Sequence, residues 1–330
     1  MLGSHVLQGP ENRSFAVPPV DLRRTNAAAV RTSVEAEGRQ RQISPDPFAS
    51  VTLGGMQLVG IDIGFSERRR SNGIAVVRDG RLIRAERLSV SERDAALRSL
   101  KDVDVVAIDA PLLPPGTADM LPRHCERVFS RGLFQKRCKP GMSHVRGTGQ
   151  RLREHGRRAV EELLAARSFR PSTHPLQRVW PDAAIVEAFP NAFLGVVVPD
   201  DDYVTAAKIK RGGKFDWLYD RWIHRGLFPR VVAATHLPDE IATRCENEKD
   251  HDIRAALVCL LTAAFAANGT AVAVGQAVDG YFFLPPTDLW AQWAKSGIAL
   301  TGCDTPPSST RSRSPESSAS SPHVPRPDSY

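Results

Sequence analysis

The sequence has little of what marks secreted and membrane proteins. Its 330 residues include only five cysteines, none spaced as Cys-x-x-Cys, so neither a disulfide framework nor a zinc site is predicted. The apolar runs stay below the roughly 18 uncharged residues that a membrane-spanning helix needs. The N-terminus also lacks the charged and then apolar order of a secretory signal. We therefore expect a cytoplasmic protein with reduced thiols and no membrane partner.

Both ends of the chain differ in composition from the middle. Residues 1–55 are rich in Arg, Pro and Ala without sustained periodicity, and residues 302–330 form a Ser/Pro-rich tract. Segments with so little apolar surface cannot offset the entropy lost on folding. The sequence therefore predicts a disordered N-terminal extension over 1–55, a folded domain over 56–301 and a disordered tail over 302–330.

Positive charge is concentrated in two parts of the folded domain. The formal net charge is +7, and the window 122–170 holds thirteen Lys and Arg against four acids. A second window, 205–230, holds seven basic residues against two acids. Such segregation suggests surfaces that face a polyanion, and nucleic acid is the predicted partner. The alternative is an ordinary solvated helix face, because Glu154 and Arg158 have the i,i+4 spacing of surface ion pairs.

The first half of the folded domain predicts a mixed α/β protein. Three apolar segments, QLVGIDIG, NGIAVVRD and RLIRAERLSV, follow one another closely, and Asp79–Gly80 favours a tight hairpin between the last two. A helix with Ser91 as its N-cap leads to DVDVVAIDAP, a strand expected to be buried on both faces. The pattern predicts an antiparallel β-meander followed by crossover strands, flanked by helices, with a helical insertion near 112–180.

The second half adds a strand, a long helix and a short closing strand. AAIVEAFP is predicted as a strand that Pro190 stops, and GLFQKRCKPGMSHVRGTG before it as a connection between helices. KDHDIRAALVCLLTAAFAANG is the longest apolar helix and is expected to end at Gly269. AVDGYFFLPP is predicted as a turn and a short strand before a closing helix.

Acidic residues recur at strand ends and at a helix start. Asp62 interrupts the first strand, Asp109 ends the buried strand, Glu187 ends the later strand, and Asp250 and Asp252 open the longest helix. Two carboxylates about 4 Å apart repel by about 4 kcal/mol at the effective dielectric of a partly buried site, so convergence calls for a cation. Carboxylate oxygens select Mg²⁺ or Mn²⁺. The alternative is that each acid only caps a loop or complements a helix dipole.

A pair of such metal ions activates water and stabilises an in-line displacement at phosphorus. We therefore predict catalytic roles for Asp62, Asp109, Glu187 and Asp252, and metal coordination by Asp62, Asp109, Asp252 and Asp250. Asp62 would bridge the metals, and Glu187 would add a ligand or position water. The predicted activity is metal-dependent hydrolysis of phosphodiester bonds in nucleic acid.

Basic residues near these acids are candidates for binding substrate phosphates. They are Arg123 and Arg127 in RHCER, and Lys208, Lys210, Arg211 and Lys214 in KIKRGGK. Phosphate contacts of this kind give affinity without reading base sequence. The plainer alternative is that they are exposed surface side chains.

The order of these motifs resembles the family catalogued as domain of unknown function 429. The matching stretches are VGIDIG, VAIDAPLL, RHCER, VEAFPNAF, KDHDIRAALVCLLTAAFA and AVDGYFFLP, from about Gln57 to about Pro286. The resemblance implies a ribonuclease-H-like fold and a metal-dependent nuclease. The chain departs from it at Ala255, where helices of this type often carry a second acid. Two alternatives follow: Asp250 replaces that acid, or metal binding is weaker than in the wider superfamily.

Two other functions fit parts of the pattern. GIDIG before a hairpin resembles the first phosphate loop of the actin-like and sugar-kinase superfold, which would make the chain an ATP-dependent phosphotransferase. The second acid stands in IDAPLL, which lacks the glycine of the second phosphate loop. The basic windows also suit a non-catalytic nucleic-acid-binding module.

Overall fold

The fold combines one large sheet with a shell of helices. The computed structural model describes residues 55–113, 121–138, 142–144, 147–166, 170–171, 184–204, 213–276 and 278–299. The strands are β1 (Gln57–Asp62), β2 (Asn72–Arg78), β3 (Arg81–Leu88), β4 (Val105–Asp109), β5 (Arg170–Pro171), β6 (Ala184–Glu187), β7 (Val272–Gln276) and β8 (Gly280–Leu284). The helices are α1 (Val90–Ser99), α2 (His124–Phe129), α3 (Gly132–Arg137), α4 (Thr148–Ala166), α5 (Pro190–Val197), α6 (Asp200–Val204), α7 (Lys214–His224), α8 (Leu227–Thr235), α9 (Asp239–Asn247), α10 (His251–Ala267) and α11 (Gln292–Ala299).

The main sheet has six strands in the order β3-β2-β1-β4-β6-β5. β1, β2 and β3 pair antiparallel, whereas β4 runs parallel to β1 and to β6. Asp79 and Gly80 have φ values of +50° and +74°, as the tight turn between β2 and β3 requires. The predicted mixed α/β class, with antiparallel and parallel strands flanked by helices, is confirmed.

Helices cover both faces of this sheet. Alternate residues of β1 point to opposite faces, so Leu58 joins the cluster around α10, and Val59 and Ile61 join a second cluster with α1 and α4. Every side chain of α10 from Arg254 to Ala267 is buried. The long apolar helix predicted from the sequence is therefore the centre of the larger core, and Gly269 follows its end with φ +66°.

Two glycines let α10 lie directly on the strands. A Cβ atom at Gly60 would be 2.2 Å from the Ala256 carbonyl oxygen, and one at Gly73 would be 1.9 Å from the Asp252 carbonyl oxygen. No side chain fits at such distances. This close approach places the N-terminus of α10 beside the C-terminal end of β1, where Asp62 lies.

Several local predictions are wrong in detail. The N-cap of α1 is Ser89 rather than Ser91, because Ser89 accepts a hydrogen bond from the Glu92 backbone and the Glu92 carboxylate accepts one from the Ser89 N–H. The segment predicted as a plain connection after residue 131 contains α3. Pro190 stops the strand as expected, yet it also begins α5, because a proline fits the first turn of a helix.

The remaining elements extend beyond the prediction. β7 and β8 form a separate antiparallel hairpin, of which only β8 was predicted, and α5, α6, α8 and α9 were not predicted. Apart from Gly55, the predicted extension over 1–55 lies outside the described residues, as does the predicted tail over 302–330. Where the structure is described, no helix has the length and apolar character needed to cross a membrane.

Candidate active site

Asp62 and Asp109 are direct neighbours at the end of the sheet. β1 and β4 run parallel, and the register pairs Asp62 with Asp109 at the last position of each strand. Paired residues in a parallel ladder project to the same face. That face is the one covered by α10, because Gly60, two residues before Asp62, packs against the backbone of α10. The register thus places side by side two of the acids whose convergence the sequence suggests.

These two carboxylates lie in an environment that disfavours their charge. Burial raises the pKa of Asp62 well above its usual value, and the nearby carboxylates of Asp109, Asp252 and Asp250 raise it further. Burial and the charge of Glu187 raise the pKa of Asp109 to about 7. Within the described part of the chain, no Lys, Arg or His pairs with either aspartate. The pair is therefore an electrostatic cost that a bound cation or a proton relieves.

The start of α10 brings two further acids to the pair. Asp250 is the N-cap of α10 and accepts hydrogen bonds from the Asp252 N–H at 3.0 Å and the Ile253 N–H at 3.2 Å. The guanidinium of Arg87 on β3 pairs with both acids, at 3.2 Å from Asp250 and 3.0 Å from Asp252. Burial raises the pKa of Asp252, and the Arg87 charge opposes that rise.

Among the described residues, Glu187, unlike Asp62 and Asp109, has a cationic partner, the guanidinium of Arg123. It pairs with Ile108 in the ladder, one position before Asp109. Both of its oxygens accept hydrogen bonds of 2.7 Å from the Arg123 guanidinium, and the Leu112 N–H donates a third at 2.8 Å. Burial raises the pKa of Glu187, and the Arg123 charge opposes the rise.

The predicted phosphate-binding residues have separate environments. Arg123 is buried, and besides Glu187 it contacts Glu126 at 3.1 Å. Arg127 is exposed and donates to the Pro122 carbonyl at 2.8 Å. Lys214 lies over the rings of Tyr203 and Trp217 at 5.8 and 5.1 Å. The other three, Lys208, Lys210 and Arg211, lie outside the described residues.

The donor chemistry fits a hard divalent cation, although the ligands are not assembled into a finished set. Unpaired, partly buried carboxylate oxygens, as at Asp62 and Asp109, are the donors that Mg²⁺ and Mn²⁺ prefer. In the part of the chain that is described, however, no three His, Cys, Asp or Glu side chains are arranged to hold a metal ion. Ala255, one turn after Asp252, is buried and supplies no carboxylate. Of the described acids at this end of the sheet, Asp62 and Asp109 are thus the two unpaired ones, whereas Asp250 and Asp252 are paired with Arg87.

Sequence reasoning missed three features around these acids. The first is Arg87, which the alternating pattern of its strand did not single out. The second is the loop after β1, where Arg68 and Arg69 are exposed and pair with no described residue. The third is a cavity of about 410 Å³ whose lining includes Asp109, Arg123, Glu126 and Glu187. The sequence signal for this loop was the run of three arginines, Arg68 to Arg70, shortly after Asp62.

The loop that carries these arginines is anchored at its base. The Gly64 N–H donates to the Asn72 side chain at 3.0 Å, and the buried Arg93 donates to the same oxygen at 3.0 Å. The Ser66 N–H donates to the Ser71 hydroxyl at 3.3 Å. Arg68 and Arg69 thus lie on a turn whose two ends are joined by hydrogen bonds and which follows the strand of Asp62.

Comparison with known proteins finds no matching family model, no similar curated protein and no similar solved structure.

Proposed function

We propose that this chain is a divalent-metal-dependent nuclease that hydrolyses phosphodiester bonds of nucleic acid. One observation carries the proposal: Asp62 and Asp109 end adjacent parallel strands, are partly buried, and have no cationic partner among the described residues. A folded protein has only about 5 to 15 kcal/mol of net stability, and repulsion between two uncompensated carboxylates lowers it. A functional role explains why such a pair is present.

The topology supports a ribonuclease-H-like assignment for the sheet. The order β3-β2-β1-β4-β6 has an antiparallel meander on one side and parallel crossover strands on the other. This is the layout of that fold, and it makes β1 a central strand with the crossover strand beside it. The motif resemblance to the domain of unknown function 429 family points to the same fold.

In this proposal Asp62 and Asp109 hold Mg²⁺ or Mn²⁺, and Asp252 or Asp250 completes the ligand set from the start of α10. A bound cation of this kind supplies an activated water and neutralises charge at the phosphate. Side chains of the protein bind the substrate and position the metal ligands. Arg68 and Arg69 draw the phosphate backbone toward the acids, and Arg87 holds Asp250 and Asp252 in place until a cation competes for them.

A cleavage assay tests the proposal. Labelled single-stranded and double-stranded DNA and RNA are incubated with the protein in Mg²⁺, in Mn²⁺ and in EDTA. We expect cleavage of at least one substrate that requires metal, is abolished by Asp62→Asn, and survives in the control Glu67→Gln, which changes an exposed acid five residues later.

Two other outcomes identify the rival functions. Metal-dependent ATP hydrolysis without nucleic acid would support the kinase-like alternative. Metal-independent binding of nucleic acid that weakens with salt, without cleavage, would support a binding module.

A further inference from the structure

A cavity of about 410 Å³ opens beside the acid pair and is not explained by metal binding. Asp109 lies in its lining, so whatever enters the cavity is next to the proposed reaction centre. Its volume is within the range of pockets that hold small organic ligands.

Residues from four separate motifs of the sequence meet at this cavity. Asp109 comes from VAIDAPLL, Glu126 from RHCER, Phe189 from VEAFPNAF and Phe282 from AVDGYFFLP. The acid pair accounts for the first of these motifs only. The other three motifs have no place in the acid pair, but each contributes a side chain to the lining of this cavity.

The walls of the cavity are mostly apolar and partly aromatic. The Phe189 and Phe282 rings lie 4.8 Å apart between centroids, and Phe189 keeps part of its surface exposed. Leu152 on α4 and Met142 line another part of the cavity. A partly open aromatic ring in an apolar wall is suited to stacking against a flat ligand.

The charges around the cavity argue against an anion as its occupant. The Arg123 guanidinium is already used by Glu187 and Glu126, with which it forms contacts of 2.7 and 3.1 Å. Asp109 adds a further acid, so the acidic side chains in the lining outnumber the single arginine. These acids would repel a phosphate but not an uncharged ring. Glu126 and Ser143 already hydrogen-bond to each other, so apolar contact with the walls would hold such a ring.

We propose that this cavity binds one unstacked nucleobase of the substrate, stacked on Phe189, with the adjoining phosphate at Asp62 and Asp109. This inference rests on the proposed nuclease function, because it identifies how that site would hold its substrate. It implies that the protein acts on single-stranded or locally opened nucleic acid, since a paired base cannot enter.

Binding of phosphate-free nucleosides tests the inference without metal. Adenosine, guanosine, cytidine and uridine are each titrated against the full chain in EDTA, and binding is measured by calorimetry and ligand-observed NMR. We expect at least one nucleoside to bind wild type. Leu152→Trp, which fills the cavity, should weaken that binding by about tenfold or more, since a packed interior leaves no room for a second ring.

Matched variants separate occupancy of the cavity from general damage. Leu164→Trp places the same side chain at an exposed position of α4 and should leave nucleoside binding unchanged. Phe189→Leu keeps an apolar side chain but removes the aromatic face, and should weaken binding by about fivefold or more. Circular dichroism and thermal unfolding verify that each variant is folded.

The outcome separates this inference from the nuclease proposal. Binding that is lost in Leu152→Trp and retained in Asp62→Asn supports the base pocket, whether or not cleavage is seen. If none of the four nucleosides binds, or if they bind Leu152→Trp and wild type equally well, the inference is overturned even when metal-dependent cleavage is present.

Discussion

At the scale of single residues, the central feature is the unfavourable environment of two carboxyl groups. Asp62 and Asp109 are held together by strand register and covered by α10, so folding itself forces their charges into one place. Functional sites often contain charged groups that lower the stability of the folded state, and favourable packing elsewhere in the fold compensates for that loss.

The Asp109 carboxyl predicts a pH dependence of stability. Its pKa in the folded chain is about 7, above the value of about 4 in the unfolded chain. Between these values the folded state binds the extra proton, so this contribution to stability is present at low pH and is lost as pH rises toward 7. Asp109→Asn removes this contribution and one of the charges that raise the pKa of Asp62, while the other buried acids keep their own pH dependence. From about pH 5 to about pH 8 in EDTA, the variant should gain on the order of 2 kcal/mol relative to wild type.

Chemical denaturation at several pH values measures this difference. Glu67→Gln serves as the control, because Glu67 is exposed and its neutralisation should leave the pH profile of wild type unchanged. Parallel profiles for Asp109→Asn and wild type would show that Asp109 ionises normally in the folded chain.

Arg87 predicts competition between a side chain and a metal. Its guanidinium pairs with Asp250 and Asp252, so Arg87→Gln should leave both acids open to a cation. We expect millimolar MgCl₂ to raise the melting temperature of Arg87→Gln more than that of wild type. Arg84→Gln is the matched control, because Arg84 on the same strand pairs with Glu86 instead. An equal magnesium effect in all three proteins would contradict this role of Arg87.

At the scale of elements, the contact between α10 and the strands sets the geometry of the site. The carbonyl oxygen of Asp252 occupies the space above Gly73, which is the ladder partner of Asp62. Any side chain at this position pushes the start of α10 away from the sheet.

Gly73→Ala should therefore lower stability and separate the acids. We expect a loss of about 1 to 3 kcal/mol from the added methyl group in a packed region, together with a smaller magnesium-induced rise in melting temperature. Gly226→Ala is the control, because Gly226 has φ +59° but a Cβ atom added there would meet nothing within 4 Å, so the change introduces backbone strain without a clash. Denaturation of the two variants with and without MgCl₂ makes the comparison, and an unchanged Gly73→Ala protein would refute the argument.

The elements that sequence predicts best are those whose pattern is local. β1 to β4 and α10 follow from apolar runs, a turn dipeptide and a terminating glycine, each of which acts within a few residues. The short α3, α8 and α9 were missed, because their burial depends on partners distant in sequence. The Glu187–Arg123 ion pair joins positions 64 residues apart, and only the folded topology brings them together.

At the scale of the whole molecule, the net charge is +7, and some of the exposed positive side chains follow Asp62 closely in the chain. Arg68 and Arg69 are exposed on the loop that follows Asp62, while Arg81 starts β3 at the opposite end of the same ladder. Under the proposed function, these two arginines are candidates for contacts with the nucleic-acid backbone.

The double variant Arg68→Ala/Arg69→Ala should bind nucleic acid more weakly and with less dependence on salt. Each lost phosphate contact reduces the slope of log K against log salt by about 0.7 to 0.9. The double variant Arg81→Ala/Arg230→Ala removes the same charge from two other exposed positions and should retain the slope of wild type. Fluorescence anisotropy of a labelled oligonucleotide, titrated at several salt concentrations in EDTA, gives both slopes, and equal losses in the two variants would exclude a specific role for the loop.

The most direct test of the account is a titration with Mn²⁺ followed by electron paramagnetic resonance. Wild type should bind Mn²⁺, Asp62→Asn and Asp109→Asn should each bind it at least about tenfold more weakly, and Glu67→Gln should match wild type. If wild type takes up no Mn²⁺, or if the two aspartate variants bind it as tightly as wild type, then Asp62 and Asp109 do not form a metal site.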